Sequence, residues 1–272
     1  MSSLSISAAW DETQAILAHD GRLFAAVALA LIALPTTINA LVNPSGMSNS
    51  SPMWVDLVGL VASLIGVAAQ LSMVRLALGP SITVGGAIGH GLRRLPIYIL
   101  AVLIILLCFV IIAIPTGILL LALGVPLQAK PVPASPQVII VSLMAFALVI
   151  FLAVRFIMSA AVASAERAGP VAILRRSWVL TAGHFWSLFG FLILYLIGAV
   201  LLLMAVISAA GAALGLLIGP IQPLSASALI LALLQALVSA AVSTVFFVMI
   251  ARIYAQLAGL ESAQASVPSS GI

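Results

Sequence analysis

Charge is the scarcest commodity in this chain. Its 272 residues hold ten basic and six acidic side chains, 6% in all, against 64% hydrophobic residues. A water-facing domain gives about a quarter of its residues to charge, so this composition excludes a hydrated globule. Mean hydropathy of +1.37 points the same way. The solvent that fits is lipid. Six carboxylates also leave little material for enzyme chemistry, which gathers several ionisable groups in one site. Cysteine is nearly absent: Cys108 is the single one, it lies in an apolar run, and an internal disulfide is excluded. It reads as a small buried hydrophobe. The net charge of +4 is spread too thinly to make a nucleic-acid stripe. No HExxH, GxSxG, P-loop or GxGxxG string occurs, and no pair of membrane aspartates, so no metal, cofactor or catalytic residue is expected.

What is present is a series of apolar runs. A helix needs about 20 residues to cross ~30 Å of hydrocarbon. Six stretches qualify, at about 23–42, 55–75, 97–122, 137–156, 187–210 and 226–252. The fold class expected is therefore all-α, a single polytopic membrane domain over 1–257 followed by a short flexible tail, 258–272. The leader before the first run holds Asp11, Glu12 and Asp20 against Arg22, so it lacks the positive region of a signal peptide, and the run reads as a retained span.

The connectors fall into two sets. One set, near 43–54, 123–136 and 211–225, is short, polar or rich in proline. The other carries Arg22, Arg75, Arg93, Arg94, Arg155, Arg167, Arg175, Arg176 and Arg252, with Lys130 alone on the first side. Nine to one sets the orientation, with both termini in the cytoplasm and the chain in a bacterial inner membrane.

An internal repeat runs through this layout. Gly79-Pro80 and Gly169-Pro170 follow even-numbered spans, and His19, His90 and His184 each precede an odd-numbered one. Arg75, Arg155 and Arg252 close the even spans. The unit is a cytoplasmic surface helix and then a two-span hairpin, three times over. The segments 6–17 (Ile6, Trp10, Leu17) and 170–185 (Val171, Leu174, Trp178, Phe185, with Arg176 nearly opposite) have an amphipathic stripe suited to the headgroup plane. In 79–95 five glycines weaken the helical signal.

Several residues carry competing readings. Arg75, Arg155 and Arg252 sit at span ends, where a guanidinium snorkels to the interface as an anchor, or binds a lipid headgroup or a partner. Glu166 follows Arg155 by eleven residues, about 16 Å along a helix, too far to pair with it. Arg167, Arg175 or Arg176, or the start of the next helix, is its nearer partner. Asp56 reads as a solvated helix-start acid beside the interface anchor Trp54. Gln235, Ser239 and Ser243 share one face of the last span and either pack neighbouring helices or line a polar path. The three histidines read as structural rather than as metal ligands.

One string goes further. Arg155, Ala160-Ala161-Val162, Glu166, Gly169-Pro170, Ala172-Ile173-Leu174-Arg175-Arg176-Ser177-Trp178-Val179-Leu180-Thr181 and Gly183-His184-Phe185-Trp186 resemble the membrane domain attached to some bacterial glycerophosphoryl diester phosphodiesterases. That domain is also similar to stand-alone six-span inner-membrane proteins. The resemblance covers about 155–186. It implies a multi-pass bacterial membrane protein without phosphodiesterase activity, because in those fusions the chemistry belongs to a separate soluble barrel.

The function expected is that of a non-enzymatic inner-membrane protein. Its basic cytoplasmic rim, Arg93, Arg94, Arg155, Arg167, Arg175, Arg176 and Trp178, engages anionic phospholipid or an unidentified protein partner. A small-molecule or lipid transporter or channel is the alternative, and an intramembrane enzyme the third reading.

Overall fold

The computed structural model describes residues 4–42, 52–79, 83–125, 135–217, 219 and 225–259. These form α1 (Ile6–Ala28), a π-helical turn (Leu29–Ala33), α2 (Leu34–Val42), α3 (Met53–Leu78), α4 (Val84–Ala122), α5 (Pro136–Phe156), α6 (Ser159–Ala165), α7 (Pro170–Thr181), α8 (Phe185–Leu217) and α9 (Ala226–Leu257). Six helical runs are long and apolar enough to cross a membrane, and each contains one of the stretches read from sequence. Lys130, Pro80 and the tail from 260 lie outside the described residues.

Local chemistry fixes the helix starts. Ser5, Thr83, Ser135 and Ser225 stand at N-caps and accept from the backbone N–H of Ala8, Gly86, Val138 and Ala228. Pro136 and Pro170 occupy first-turn positions, where a missing N–H costs nothing. Pro35 falls inside a run and has no N–H for the carbonyl four residues back. The chain widens there by one residue, so that Leu34 N–H donates to Leu29 O. The Thr36 and Thr37 hydroxyls then donate to the Ile32 and Ala33 carbonyls, at 2.6 and 2.8 Å. Hydroxyls that serve carbonyls in this way let proline persist in a span.

The segments leading each hairpin are helical, but they join their spans differently. In the first two hairpins the leader runs unbroken into the span, giving helical runs of 37 and 39 residues. Only α7 stands apart. Gly183, with φ +84°, turns the chain between α7 and α8, a conformation that side chains rarely adopt. The leader of α1 lies lengthwise on α9 from its first turns. Ser5 N–H donates to Gln256 Oε1 at 3.2 Å, Glu12 pairs with Arg252, and the Thr13 hydroxyl lies 3.6 Å from Met249 Sδ. Ala9 and Thr13 are its buried residues there, while Trp10, placed by the sequence on the apolar stripe, is 43% exposed.

Spans that follow one another in sequence pack side by side, and α1 closes the ring against α9. Within the ring α3 also touches α9, and α6 is set among α3, α4, α7 and α9. Burial is concentrated where the arginines lie, which we call the basic end. It takes in Ala68–Ala77 of α3 except Gln70 and Arg75, Met158–Ser164 around α6, and Val248–Gln256 of α9 except Arg252. The remaining lengths of α4, α5 and α8 expose leucine and isoleucine almost continuously, the surface that lipid solvates.

Small residues make the packed end possible, since close backbone approach is what drives helix association in lipid. Gly91 of α4 is the tightest point. A Cβ there would lie 2.4 Å from Ser72 Oγ and 2.8 Å from the Ala68 carbonyl of α3. Gly85, two turns earlier, has open space around the same position. Gly91→Ala is therefore expected to lower the thermal midpoint in detergent, by the ~1–3 kcal/mol of an overpacked core. Gly85→Ala is expected to leave it unchanged or raise it, by up to about 1 kcal/mol. Equal midpoints for the two variants would show that α3 and α4 are not held this closely.

Candidate functional site

Helix α6 is the centre of the basic end. All six residues Ser159–Ser164 are buried. The Ser164 hydroxyl donates to the Leu71 carbonyl of α3 at 2.9 Å. Its own carbonyl accepts from His90 Nε2 of α4, also at 2.9 Å, which assigns the ring proton to Nε2. The Ser159 and Tyr98 hydroxyls face each other at 3.5 Å. His90 thus clasps α4 to α6. His19 is exposed beside Asp20, and among the described residues no group of three or more His, Cys, Asp or Glu converges on a metal site.

Glu166, immediately after α6, holds the next layer. One oxygen, Oε1, accepts from Arg176 Nε at 3.1 Å and from the Tyr254 hydroxyl at 2.9 Å. The expected pairing with an arginine of the following helix is therefore present, and α9 joins it through a tyrosine that sequence reading had not singled out. The ion pair is about 40% exposed and contributes no more than about 1 kcal/mol.

Arg155 ends α5 in a different setting. Its guanidinium carbon lies 5.1 Å from the Phe151 ring centre and 5.0 Å from that of Trp178. Phe151 is one turn back on the same helix, a spacing of four that puts it over the guanidinium. Trp178 comes from α7, which is docked by the Ser177 hydroxyl donating to the Arg155 carbonyl at 2.8 Å. Phe156, Phe185, Trp186 and Phe189 extend the aromatic cluster outward. Within this cage Nε and Nη1 of Arg155 are buried and have no hydrogen-bond partner, and neither does Nδ1 of His184. A desolvated cation–π contact contributes about 2 kcal/mol. Each unmade hydrogen bond of a buried donor costs about 1–3 kcal/mol, so the site is left wanting an acceptor.

The other rim residues stand around this cage. Arg93, Arg167, Arg175 and Arg176 are exposed and Arg94 is half-buried. The structure brings Arg155 and Trp178 into contact and ties Arg176 to Glu166. Among the described residues Arg93, Arg94, Arg167 and Arg175 make no ion pair. On α9, Gln235 is exposed while Ser239 and Ser243 are half-buried. A groove of about 700 Å³ lies between α8, α9 and the start of α1, with apolar walls. It had no signal in the sequence, because its lining is drawn from three separated helices.

A family model described as Domain of unknown function (DUF7847) matches residues 4–257. The chain belongs to this family. No curated protein and no solved structure matches it. The DUF7847 match takes in all six spans together with α6 and α7, so the packed basic end is part of the family domain rather than an addition to it.

The shared oxygen of Glu166 yields a test. Glu166→Ala and Tyr254→Phe are each expected to lower the unfolding midpoint by about 1 kcal/mol or less. In the Glu166→Ala background, Tyr254→Phe should add nothing, because its acceptor is already gone. Additive losses would show that Tyr254 is held by something other than Glu166.

Proposed function

We propose that this multi-pass membrane protein is non-enzymatic and holds anionic phospholipid at its basic end, with the rim facing the cytoplasm of a bacterial inner membrane. The observation that carries the reading is the Arg155 cage: a cation between two aromatic rings with unmet donors, at the edge of an arginine cluster. A phosphate oxygen is the acceptor that such a cation favours, since charge-assisted bonds are the stronger class. Exposed Arg167, Arg175 and Arg93 add attraction for an anionic surface, roughly 1 kcal/mol for each residue near it. Trp178 and Trp186, 39% and 77% exposed, have the amphipathic rings that favour the headgroup level.

The resemblance of 155–186 to membrane domains fused to phosphodiesterases fits this reading, with the rim acting as a lipid-contacting module that has no catalytic barrel. The transport alternative receives less support. On the α9 face it would use, Gln235 is exposed and Ser239 and Ser243 are half-buried, while α6 fills the basic end among α3, α4, α7 and α9.

The test is native mass spectrometry of protein extracted from its own membrane in polymer discs. Wild-type protein is expected to retain phosphatidylglycerol or cardiolipin at a defined stoichiometry. Arg155→Gln, and separately Arg175→Gln with Arg176→Gln, should lower that retention several-fold while the fold persists. Retention that is indifferent to all three substitutions would remove the reading. A stoichiometric protein in place of lipid would assign the rim to a protein partner.

A further inference from the structure

The apolar groove between α8, α9 and α1 lies apart from the rim described above, and we infer that it is a binding site for one acyl chain of a membrane lipid. Its walls come from stretches that carry no charge, residues 191–202 of α8 and 241–249 of α9. Along α8 the groove runs from Phe191 to Leu202, about 16 Å of helix, close to the ~15 Å of a single hydrocarbon leaflet. Its polar groups sit in two places. The Tyr195 hydroxyl already donates to the Val242 carbonyl. The Ser7 hydroxyl and the Trp10 indole lie at the α1 end. A ligand with a plain hydrocarbon tail and a polar linkage at one end fits this distribution.

A single hydrocarbon chain, matching these walls in length and in lack of charge, is the occupant the groove suits. Gly198 forms part of the wall, and a Cβ there meets no atom within 4 Å, so a larger side chain would project into the groove without disturbing the backbone.

The experiment uses the full-length protein in vesicles of phosphatidylethanolamine and phosphatidylglycerol, with a trace of phosphatidylcholine bearing a diazirine on one acyl chain. After illumination and digestion, label is expected on the groove stretches of α8 and α9. Gly198→Leu should reduce that label at least five-fold. Gly190→Leu, equally open at its Cβ and outside the groove, should leave it intact. Arg175→Gln with Arg176→Gln should also leave it intact, which separates this site from the rim. Label undiminished in Gly198→Leu would overturn the inference, as would cross-links in the groove that join two copies of the chain.

Discussion

The enclosure of α6 is the constraint on which the rest of the structure depends. A seven-residue helix of serine, alanine and valine is narrow enough for α3, α4, α7 and α9 to close around it. Hydrocarbon supplies no hydrophobic drive between helices, so close contact and a few hydrogen bonds must hold them. Ser164 supplies two of those bonds, one to α3 and one to α4. Gly91 lets α4 approach α3 at the same level. Away from this end the leucine faces are left to lipid.

Function-bearing chemistry gathers around that filled end for the same reason. The segment after α6 must turn back to reach α8, and in doing so it carries Glu166, Arg167, Arg175, Arg176 and Trp178 along the outside of the core. Glu166 and Tyr254 fix the start of this excursion, and Ser177 fixes its middle against the end of α5. Arg155 is enclosed between aromatic rings as a result, with donors unmet. The proposed headgroup contact and the proposed acyl-chain groove thus lie on different faces, one on α5 and α7, the other on α8, α9 and α1.

Much of this was legible in the residues. The six spans follow from hydropathy because lipid leaves the backbone no option but helix. The start of α7 at Pro170 matches the amphipathic stretch read over 170–185, whereas the caps Thr83, Ser135 and Ser225 were not singled out in the sequence. Glu166 was placed near the arginines of the next helix by distance along the chain alone. Other features were not legible. The continuity of α1 and α4 through their leaders escaped notice, since Asp20, Arg22, Arg93 and Arg94 interrupt the apolar pattern without interrupting the helix. The packing of α1 along α9 rests on Ser5, Glu12 and Thr13 meeting residues some 240 positions away, and periodicity within one segment holds no trace of such contacts. The aromatic cage is intermediate: the spacing of Phe151 and Arg155 could have been read, whereas the contribution of Trp178 needed the fold.

The most direct test of the central claim is thiol accessibility on α6. With Cys108→Ala as background, Ser159→Cys and Ser164→Cys place small reporters in the enclosed helix, and Gly169→Cys serves as an exposed reference. The account predicts that a water-soluble maleimide labels Gly169→Cys quickly and leaves both α6 positions unmodified from either side of the membrane. Labelling of Ser159→Cys or Ser164→Cys at the rate of the reference would contradict it, and would mean that water passes through the end of the bundle that α6 is held to close.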